Sequence, residues 1–285
     1  MKDKICKSMA PFFYALPSVA VGMWVMYTHD ISAAIYMQNF VFLMLCNVIS
    51  TIYISWTYDL KIGEIGTIVI AIASVLFLAG SFLSDGIDDV HRWIQIGPMN
   101  LNIAFIALPI LLITINKLLE KGRFKICIAL ILVSAILLFL QPDASMISAF
   151  SVALLPIIYT KCKNKLWNFV VVAILIFFSA ISWSNIDRLQ PVSYVENIIV
   201  LAKGSGWVYL FLCIFALFVM IWPFVRPKGF QQCRGISISL GLFFFVLIMS
   251  TLFGNFPVPL IGYGISPIFG YMISAAYVVK KKSYL

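Results

Sequence analysis

Ten long apolar runs follow one another along the chain, separated by short polar segments. A transmembrane helix needs about 20 apolar residues, so each run is close to the length that crosses a bilayer. Only 11% of the residues are charged, whereas soluble domains carry about 25%. The sequence therefore predicts an all-α fold, a polytopic transmembrane helical bundle of about ten spans that forms a single transmembrane domain over residues 1–285. The predicted spans are 11–29, 34–56, 65–84, 99–117, 124–140, 144–160, 166–183, 207–225, 236–254 and 257–279.

The fifth and sixth runs are short and are separated only by Gln141-Pro142-Asp143. A proline interrupts the hydrogen bonding of a helix interior but suits the first turn of a new helix. We therefore expect a tight helical hairpin at this point. The alternative is one kinked helix over 124–160, which would give nine spans and is too long for a single crossing.

Basic residues in the connecting segments give the orientation. With the N-terminus in the cytoplasm, seventeen of the twenty Lys and Arg residues lie on the inner side and three on the outer side. This positive-inside bias predicts that both termini are cytoplasmic and that the long loops 84–98 and 184–206 face outward. The net charge of +9 thus reflects orientation, and no nucleic-acid partner is expected, because no basic groove with stacking aromatics is present. The three outer cations are Arg92, Arg188 and Lys203.

The first outer loop contains the sequence His91-Arg92-Trp93. A guanidinium can bind a phosphate through two hydrogen bonds, which makes Arg92 a candidate for binding a phosphate-containing substrate. The acids of this loop, together with its histidine, offer ligand types for a metal, but their spacing fits no known ligand motif. A solvated acidic loop beside an interfacial tryptophan is the simpler interpretation. The residues in question are Asp85, Asp88, Asp89 and His91.

The second outer loop carries two acids, Asp187 and Glu196, and two cations, Arg188 and Lys203. A carboxylate at the mouth of a membrane cavity can act as a general base, and a nearby cation can hold a diphosphate. An ordinary polar loop is the alternative interpretation, because charged residues are common on protein surfaces. The two acids are therefore candidate catalytic residues.

The last run begins with an unusual concentration of proline and glycine over residues 256–270. Irregular backbone at membrane depth survives only where it is buried in protein or lines a wet cavity. The sequence therefore predicts that Pro257 to Pro267 is not a regular helix throughout. Tyr263 and Ser266 are candidate polar groups of the cavity.

Three motifs occur in the order seen in SEDS proteins, the shape, elongation, division and sporulation family. They are His91-Arg92-Trp93-Ile94, Gln141-Pro142-Asp143 and Pro259-Leu260-Ile261-Gly262-Tyr263-Gly264. The loop around Asp187-Arg188-Leu189 is similar to the family's large outer loop after the seventh span. The resemblance covers about residues 65–279 and implies a SEDS-like bundle of ten spans with both ends inside.

The resemblance also implies a function, namely glycan polymerisation from lipid II in peptidoglycan synthesis, for cell division or cell shape, at the bacterial plasma membrane. Its implied partners are lipid II as substrate and a class B penicillin-binding protein. Glu196 stands nearest by position to the family's catalytic aspartate, and Asp187 is second. A divalent cation, Mg²⁺ or Mn²⁺, or an arginine would stabilise the diphosphate. The implied substrate-binding residues are Arg92, Trp93, Gln141, Arg188, Lys203, Tyr263 and Ser266.

Two other functions stay open. One is a non-catalytic relative that binds a lipid-linked substrate or a synthase. The other is a lipid or small-molecule transporter. No ionisable residue lies in the middle of an apolar run, which argues against a pump driven by protons or sodium.

Overall fold

A computed structural model describes residues 8–56, 62–87, 90–97, 99–162, 164–186, 189–225 and 234–283. Over these residues the chain forms eleven α-helices and one two-stranded antiparallel sheet. Ten helices coincide with the ten apolar runs, and α8 is additional. The helices are α1 (Ala10–Thr28), α2 (Ala33–Trp56), α3 (Glu64–Ala79), α4 (Ala104–Glu120), α5 (Phe124–Leu140), α6 (Ala144–Lys161), α7 (Lys165–Ser184), α8 (Ile198–Ser205), α9 (Trp207–Val225), α10 (Arg234–Ser250) and α11 (Ile265–Ser283).

The long apolar helices make the chain a multi-pass membrane protein. Six have the length and hydropathy of membrane spans: α1, α2, α3 with its 3₁₀ extension Gly80–Leu83, α6, α7 and α9. The helices α5 and α10 are shorter but also apolar. Three consecutive lysines, residues 280–282, stand in the last turn of α11. Basic residues are common where a span meets the membrane surface. The predicted all-α polytopic fold is thus confirmed.

The fourth predicted span begins later than expected. Residues 99–102 do not start the helix, because they form strand β2 (Met99–Asn102), which pairs with β1 (Trp93–Ile96) in an antiparallel hairpin. The helix α4 then begins at Ala104, whose backbone N–H donates to Oδ1 of Asn102 at 3.1 Å. The predicted outer loop 84–98 therefore contains the first strand of a folded hairpin.

The predicted turn between the fifth and sixth spans is confirmed. The helix α5 ends at Leu140 and α6 begins at Ala144. Asp143 caps the new helix, because its Oδ1 accepts a hydrogen bond from the backbone N–H of Met146 at 3.1 Å. The single-helix alternative over 124–160, and with it the nine-span arrangement, is wrong.

Backbone proximity groups the chain into two compact units. Unit 1 comprises Met1–Leu60, Gln190–Cys233 and Leu247–Leu285, and unit 2 comprises Lys61–Leu189 and Arg234–Val246. The prediction of one transmembrane domain over residues 1–285 is not tested by this grouping and stays a prediction.

In unit 1, α1 packs against α2, α8, α9 and α11. One apolar cluster joins Ala10 at the start of α1, Ile54 at the end of α2, and Ala276 with Val279 near the end of α11. The N-terminal end of α1 and the C-terminal end of α11 therefore lie on the same side of this unit. An even number of spans requires this arrangement.

In unit 2, α4 packs against α3, α5 and α6 and is buried along most of its length. One end carries two ion pairs, Arg123 Nε to Glu64 Oε1 at 2.6 Å and Lys161 Nζ to Glu120 Oε1 at 3.1 Å. All four residues belong to segments that the charge bias assigns to the cytoplasmic side. The contacts within this unit thus agree with the predicted alternation of the helices.

The orientation itself is a testable prediction. In a cysteine-free background, Ser84→Cys and Ser193→Cys should react with a membrane-impermeant maleimide in intact cells, because both positions lie in predicted outer loops. Lys165→Cys, an exposed residue at the predicted inner end of α7, should react only after permeabilisation. The opposite labelling pattern would show that the orientation is inverted.

Candidate functional site

Residues 257–264 before α11 form an irregular segment, which we call the broken segment. It has no helical hydrogen-bond ladder, and α11 begins only at Ile265. Its centre is a tight turn in which the N–H of Ile261 donates to the carbonyl of Pro259 at 2.9 Å, with Leu260 at φ 65°. The prediction that Pro257 to Pro267 departs from a regular helix is confirmed.

Backbone groups of unit 1 hold the broken segment. The N–H of Val258 donates to the carbonyl of Val195 at 3.3 Å, and the N–H of Tyr263 donates to the carbonyl of Tyr194 at 2.9 Å. Gly262 permits this approach, because a Cβ there would lie 2.5 Å from the carbonyl oxygen of Val195. Residues 194–195 therefore lie alongside the broken segment, which places Glu196 next to it.

Two neighbouring residues of α2 complete this support. Nδ2 of Asn39 donates to the carbonyl of Gly262 at 3.1 Å, and its Oδ1 accepts from the N–H of Gly264 at 3.1 Å. Oε1 of Gln38 accepts from the hydroxyl of Tyr263 at 2.7 Å. Sequence reasoning missed both residues. Their signal was an adjacent pair of amides inside an otherwise apolar run, where a polar side chain needs a partner.

Glu196 is half-buried, and its side chain is oriented by its own loop. Its Oε2 accepts a hydrogen bond from the backbone N–H of Val192 at 2.8 Å. The rings of Tyr194 and Tyr263 meet edge to face with centroids 6.1 Å apart. The structure therefore brings the predicted residues Glu196 and Tyr263 into one region, which we call the Glu196 site.

Of four other predicted site residues, two lie close to this site in the sequence and two lie outside the described residues. Lys203 is exposed in the last turn of α8, the short helix that follows Glu196. Ser266 is buried in the first turn of α11, directly after the broken segment. Asp187 and Arg188 lie outside the described residues.

The remaining predicted residues, Arg92, Trp93 and Gln141, come together in unit 2. Nε of Arg92 lies 3.4 Å from the carbonyl of Gln141 and 3.4 Å from Oδ2 of Asp143, and its Nη2 donates to the carbonyl of Pro142. The guanidinium also lies 6.0 Å from the ring centroid of Trp93. These contacts are buried and link the β-hairpin to the α5–α6 turn.

Gln141 extends the same link to α3. Its Nε2 donates to Oγ of Ser81 at 2.7 Å and to the carbonyl of Leu78 at 3.1 Å. Only 4% of Arg92 is exposed. A phosphate role for Arg92 stays a prediction, and its observed contacts join the β-hairpin to the α5–α6 turn. Asp143, the partner that makes this possible, was missed as a site residue.

The described ranges contain no group of three or more His, Cys, Asp or Glu side chains arranged to hold a metal ion. In the first predicted outer loop, Nδ1 of His91 lies 3.0 Å from the carbonyl of Ser84, and its ring is tilted against the ring of Phe82. Asp88 and Asp89 lie outside the described residues.

Support of the broken segment by Asn39 gives a stability prediction. Asn39→Ala should lower the free energy of unfolding by about 1–3 kcal/mol, because it removes the hydrogen bonds to the carbonyl of Gly262 and the N–H of Gly264. Asn47→Ala is the matched control in the same helix, since Oδ1 of Asn47 has no hydrogen-bond partner among the described residues. Unfolding in mixed micelles measures both variants. Equal losses would show that the two hydrogen bonds of Asn39 contribute nothing specific.

Comparison with solved structures shows which known architecture this chain resembles. The chain matches the crystal structure of RodA, a rod shape determining protein of Thermus thermophilus, with TM-score 0.70, 16% identity, and coverage of 96% of this chain and 97% of that chain. A point mutant of the same RodA matches with TM-score 0.71 at the same identity and coverage.

A third structure matches over the same share of each chain, with TM-score 0.63 and 16% identity. It belongs to a peptidoglycan synthase complex in which polymerization and crosslinking are structurally coordinated. No family model matches the chain, and no curated protein matches its sequence. The structure therefore gives this chain the fold of RodA, and the resemblance to SEDS proteins drawn from its motifs is confirmed at the level of the fold.

Proposed function

We propose that this chain is a SEDS-like membrane protein that polymerises glycan from lipid II at the outer face of a bacterial plasma membrane. The observation that carries the proposal is the match to RodA over nearly the full length of both chains. The position of Glu196 beside the broken segment supports it, because irregular backbone at membrane depth is typical of a substrate cavity.

In the proposed reaction, Glu196 acts as the general base. Its carboxylate removes the proton from the sugar hydroxyl of the acceptor, and the hydroxyl oxygen attacks the anomeric carbon of the donor. The bond from that carbon to the diphosphate oxygen breaks, and undecaprenyl diphosphate leaves. The hydrogen bond from Val192 holds Oε2 of Glu196 in place, so that the carboxylate is oriented before substrate binds.

The other residues of the Glu196 site are proposed to position and bind the substrate. Tyr263 donates its hydroxyl to Gln38, and its ring contacts the ring of Tyr194, which precedes Glu196 by two residues. Lys203 is the described cation of the second outer loop, and its exposure suits a diphosphate that arrives from the membrane surface. Ser266 is buried in the first turn of α11, directly after the broken segment.

A divalent cation, Mg²⁺ or Mn²⁺, stays a prediction for this site, and the described residues contain no group of three or more His, Cys, Asp or Glu side chains arranged to hold one. Lys203 supplies the positive charge that the leaving diphosphate needs.

We also propose a class B penicillin-binding protein as partner. The support is the likeness to a structure from a complex that couples polymerization to crosslinking. A SEDS-like polymerase produces uncrosslinked strands, so a crosslinking enzyme is the chemically expected companion.

The direct test is a polymerisation assay with purified protein and lipid II, in which glycan strands are resolved by gel electrophoresis. We expect strands to form, with RodA of Thermus thermophilus as the positive control. If RodA makes glycan and this chain does not, the proposed activity is wrong. Measured binding of lipid II without polymerisation would then support the non-catalytic alternative, and uptake into vesicles would support the transporter.

A further inference from the structure

The two adjacent amides of α2 differ in how far their hydrogen-bonding groups are used. Asn39 is buried, and both ends of its amide bind backbone groups of the broken segment. Gln38 is half-buried, and its Oε1 accepts from the hydroxyl of Tyr263 at 2.7 Å. The Nε2 of Gln38 has no hydrogen-bond partner among the described residues. The two N–H bonds of this nitrogen are therefore available to another molecule.

The free nitrogen of Gln38 is both oriented and accessible. The hydroxyl of Tyr263 fixes Oε1, and Nε2 is bonded to the same carbon atom, so the two N–H bonds lie close to the Tyr263 hydroxyl. In the described part of the chain, Nε2 does not belong to the shielded side-chain atoms that lack a partner, in contrast to Oδ1 of Asn47 on the same helix. A donor that faced lipid tails would leave its hydrogen bonds unmade at a cost, so this position favours water or a polar ligand.

The depth of Gln38 in the membrane indicates which ligand group it can meet. The helix α2 has 24 residues and is about 36 Å long, whereas the hydrocarbon core of a bilayer is about 30 Å thick. Gln38 stands five residues after Ala33, the predicted outer end of this helix, which is about 7.5 Å along the axis. It therefore lies near the outer boundary of the hydrocarbon. In a lipid-linked diphosphate, the apolar chain is joined to the phosphate at this boundary.

Tyr263 connects Gln38 to the rest of the Glu196 site. Its ring contacts the ring of Tyr194, and both tyrosines pack on the apolar cluster that contains Ala202 of α8. Lys203, the cation assigned to the diphosphate, follows Ala202 in the sequence. The amide of Gln38 and this cation thus belong to elements that meet around one cluster of unit 1.

We propose that Gln38 is a substrate-binding residue whose Nε2 donates to a phosphate oxygen of the lipid-linked diphosphate. The inference rests on the proposed function, because that function supplies the substrate. A primary amide offers two N–H donors without a charge, and a charged phosphate oxygen accepts such bonds strongly. Gln38 then selects a phosphorylated lipid over the free polyprenol, and Tyr263 is the positioning residue that orients the amide.

Four probes isolate the phosphate in binding measurements by native mass spectrometry of the full chain. Undecaprenyl diphosphate, undecaprenyl phosphate and undecaprenol share one apolar chain, and inorganic diphosphate has none. Gln38→Met should weaken both phosphorylated lipids by about tenfold or more, the effect of one hydrogen bond to a charged group, and leave undecaprenol unchanged. An equal loss for undecaprenol overturns the proposal. Binding of inorganic diphosphate as tight as that of the lipid also overturns it, because the site would then be one for a free anion.

Three further variants separate contact with the ligand from support of the fold. Tyr263→Phe removes the hydroxyl but keeps both N–H donors, so it should weaken undecaprenyl diphosphate by about two- to threefold, the effect of a less oriented side chain. Gln38→Met combined with Tyr263→Phe leaves no unpaired hydroxyl and should match Gln38→Met. Gln95→Met, the same change at an exposed amide of β1, should keep the native affinity. Equal losses from Tyr263→Phe and Gln38→Met would make Gln38 a structural partner of Tyr263 and overturn the proposal.

The result is distinguishable from that of the polymerisation assay. If the chain makes no glycan but binds undecaprenyl diphosphate through Gln38, the proposed polymerase activity is wrong and the phosphate contact stands. If the chain makes glycan and Gln38→Met changes neither the affinity for undecaprenyl diphosphate nor the KM for lipid II, Gln38 does not bind substrate and the proposed function stands.

Discussion

Replacing Glu196 with glutamine is expected to lower the rate of glycan formation from lipid II by about 10²–10⁴-fold, the usual contribution of a general base. Glutamine keeps the size of the side chain and an oxygen that accepts from the N–H of Val192, but it cannot take a proton from the acceptor hydroxyl. The loss should therefore fall on the rate constant, with lipid II binding and thermal stability close to those of the native chain.

Asp30→Asn is the matched control for Glu196→Gln. Asp30 is an exposed acid in unit 1 between α1 and α2, and its left-handed backbone at φ 56° is one that asparagine also adopts. The substitution removes the same charge, but the polymerisation rate should not change. If Glu196→Gln forms glycan as fast as the native protein, the assignment of Glu196 as base is wrong.

Arg92→Met should lower the free energy of unfolding by about 3–5 kcal/mol, because it leaves the buried carboxylate of Asp143 without its charged partner. Arg123→Met is the matched comparison. Arg123 also pairs with an acid, Glu64, but its side chain is 52% exposed, and such pairs contribute about 0.2–1 kcal/mol. Reversible unfolding in mixed micelles measures both variants under the same conditions.

A double variant separates charge from packing. Arg92→Met with Asp143→Asn should recover part of the loss, because asparagine still caps α6 and leaves no buried charge. If Arg92→Met unfolds no more easily than Arg123→Met but raises the KM for lipid II, the original prediction that Arg92 binds a diphosphate is supported.

Hydrophobic runs and proline positions predicted most of the fold, because a membrane span is determined by local sequence. The ten runs correspond to ten helices, and Pro142 marked the turn between α5 and α6. The proline and glycine residues of the last run marked the broken segment. The β-hairpin was missed, although Trp93–Ile96 and Met99–Asn102 are separated by only two residues, Gly97 and Pro98, a spacing typical of paired strands.

The candidate sites were harder to predict, because they depend on contacts between distant residues. Glu196 and Tyr263 were recognised as candidates, but nothing local showed that residues 194–195 pair with 258 and 263. Asn39 and Gln38 lie more than 220 positions from the groups that they bind. Arg92 was read as a surface cation, since the sequence cannot show that Asp143 and the carbonyls of the α5–α6 turn surround it.

The dependence of the broken segment on earlier parts of the chain has a consequence for biogenesis. Its polar backbone finds partners in Asn39, Tyr194 and Val195, all of which leave the ribosome before residue 257 is made. In lipid, an unpaired backbone group costs several kcal/mol, so residues 257–264 are unstable in the membrane until those partners have assembled. The final helix must therefore be inserted against a preformed surface of unit 1. A nascent chain that lacks α2 should leave this last segment exposed to membrane quality-control proteases.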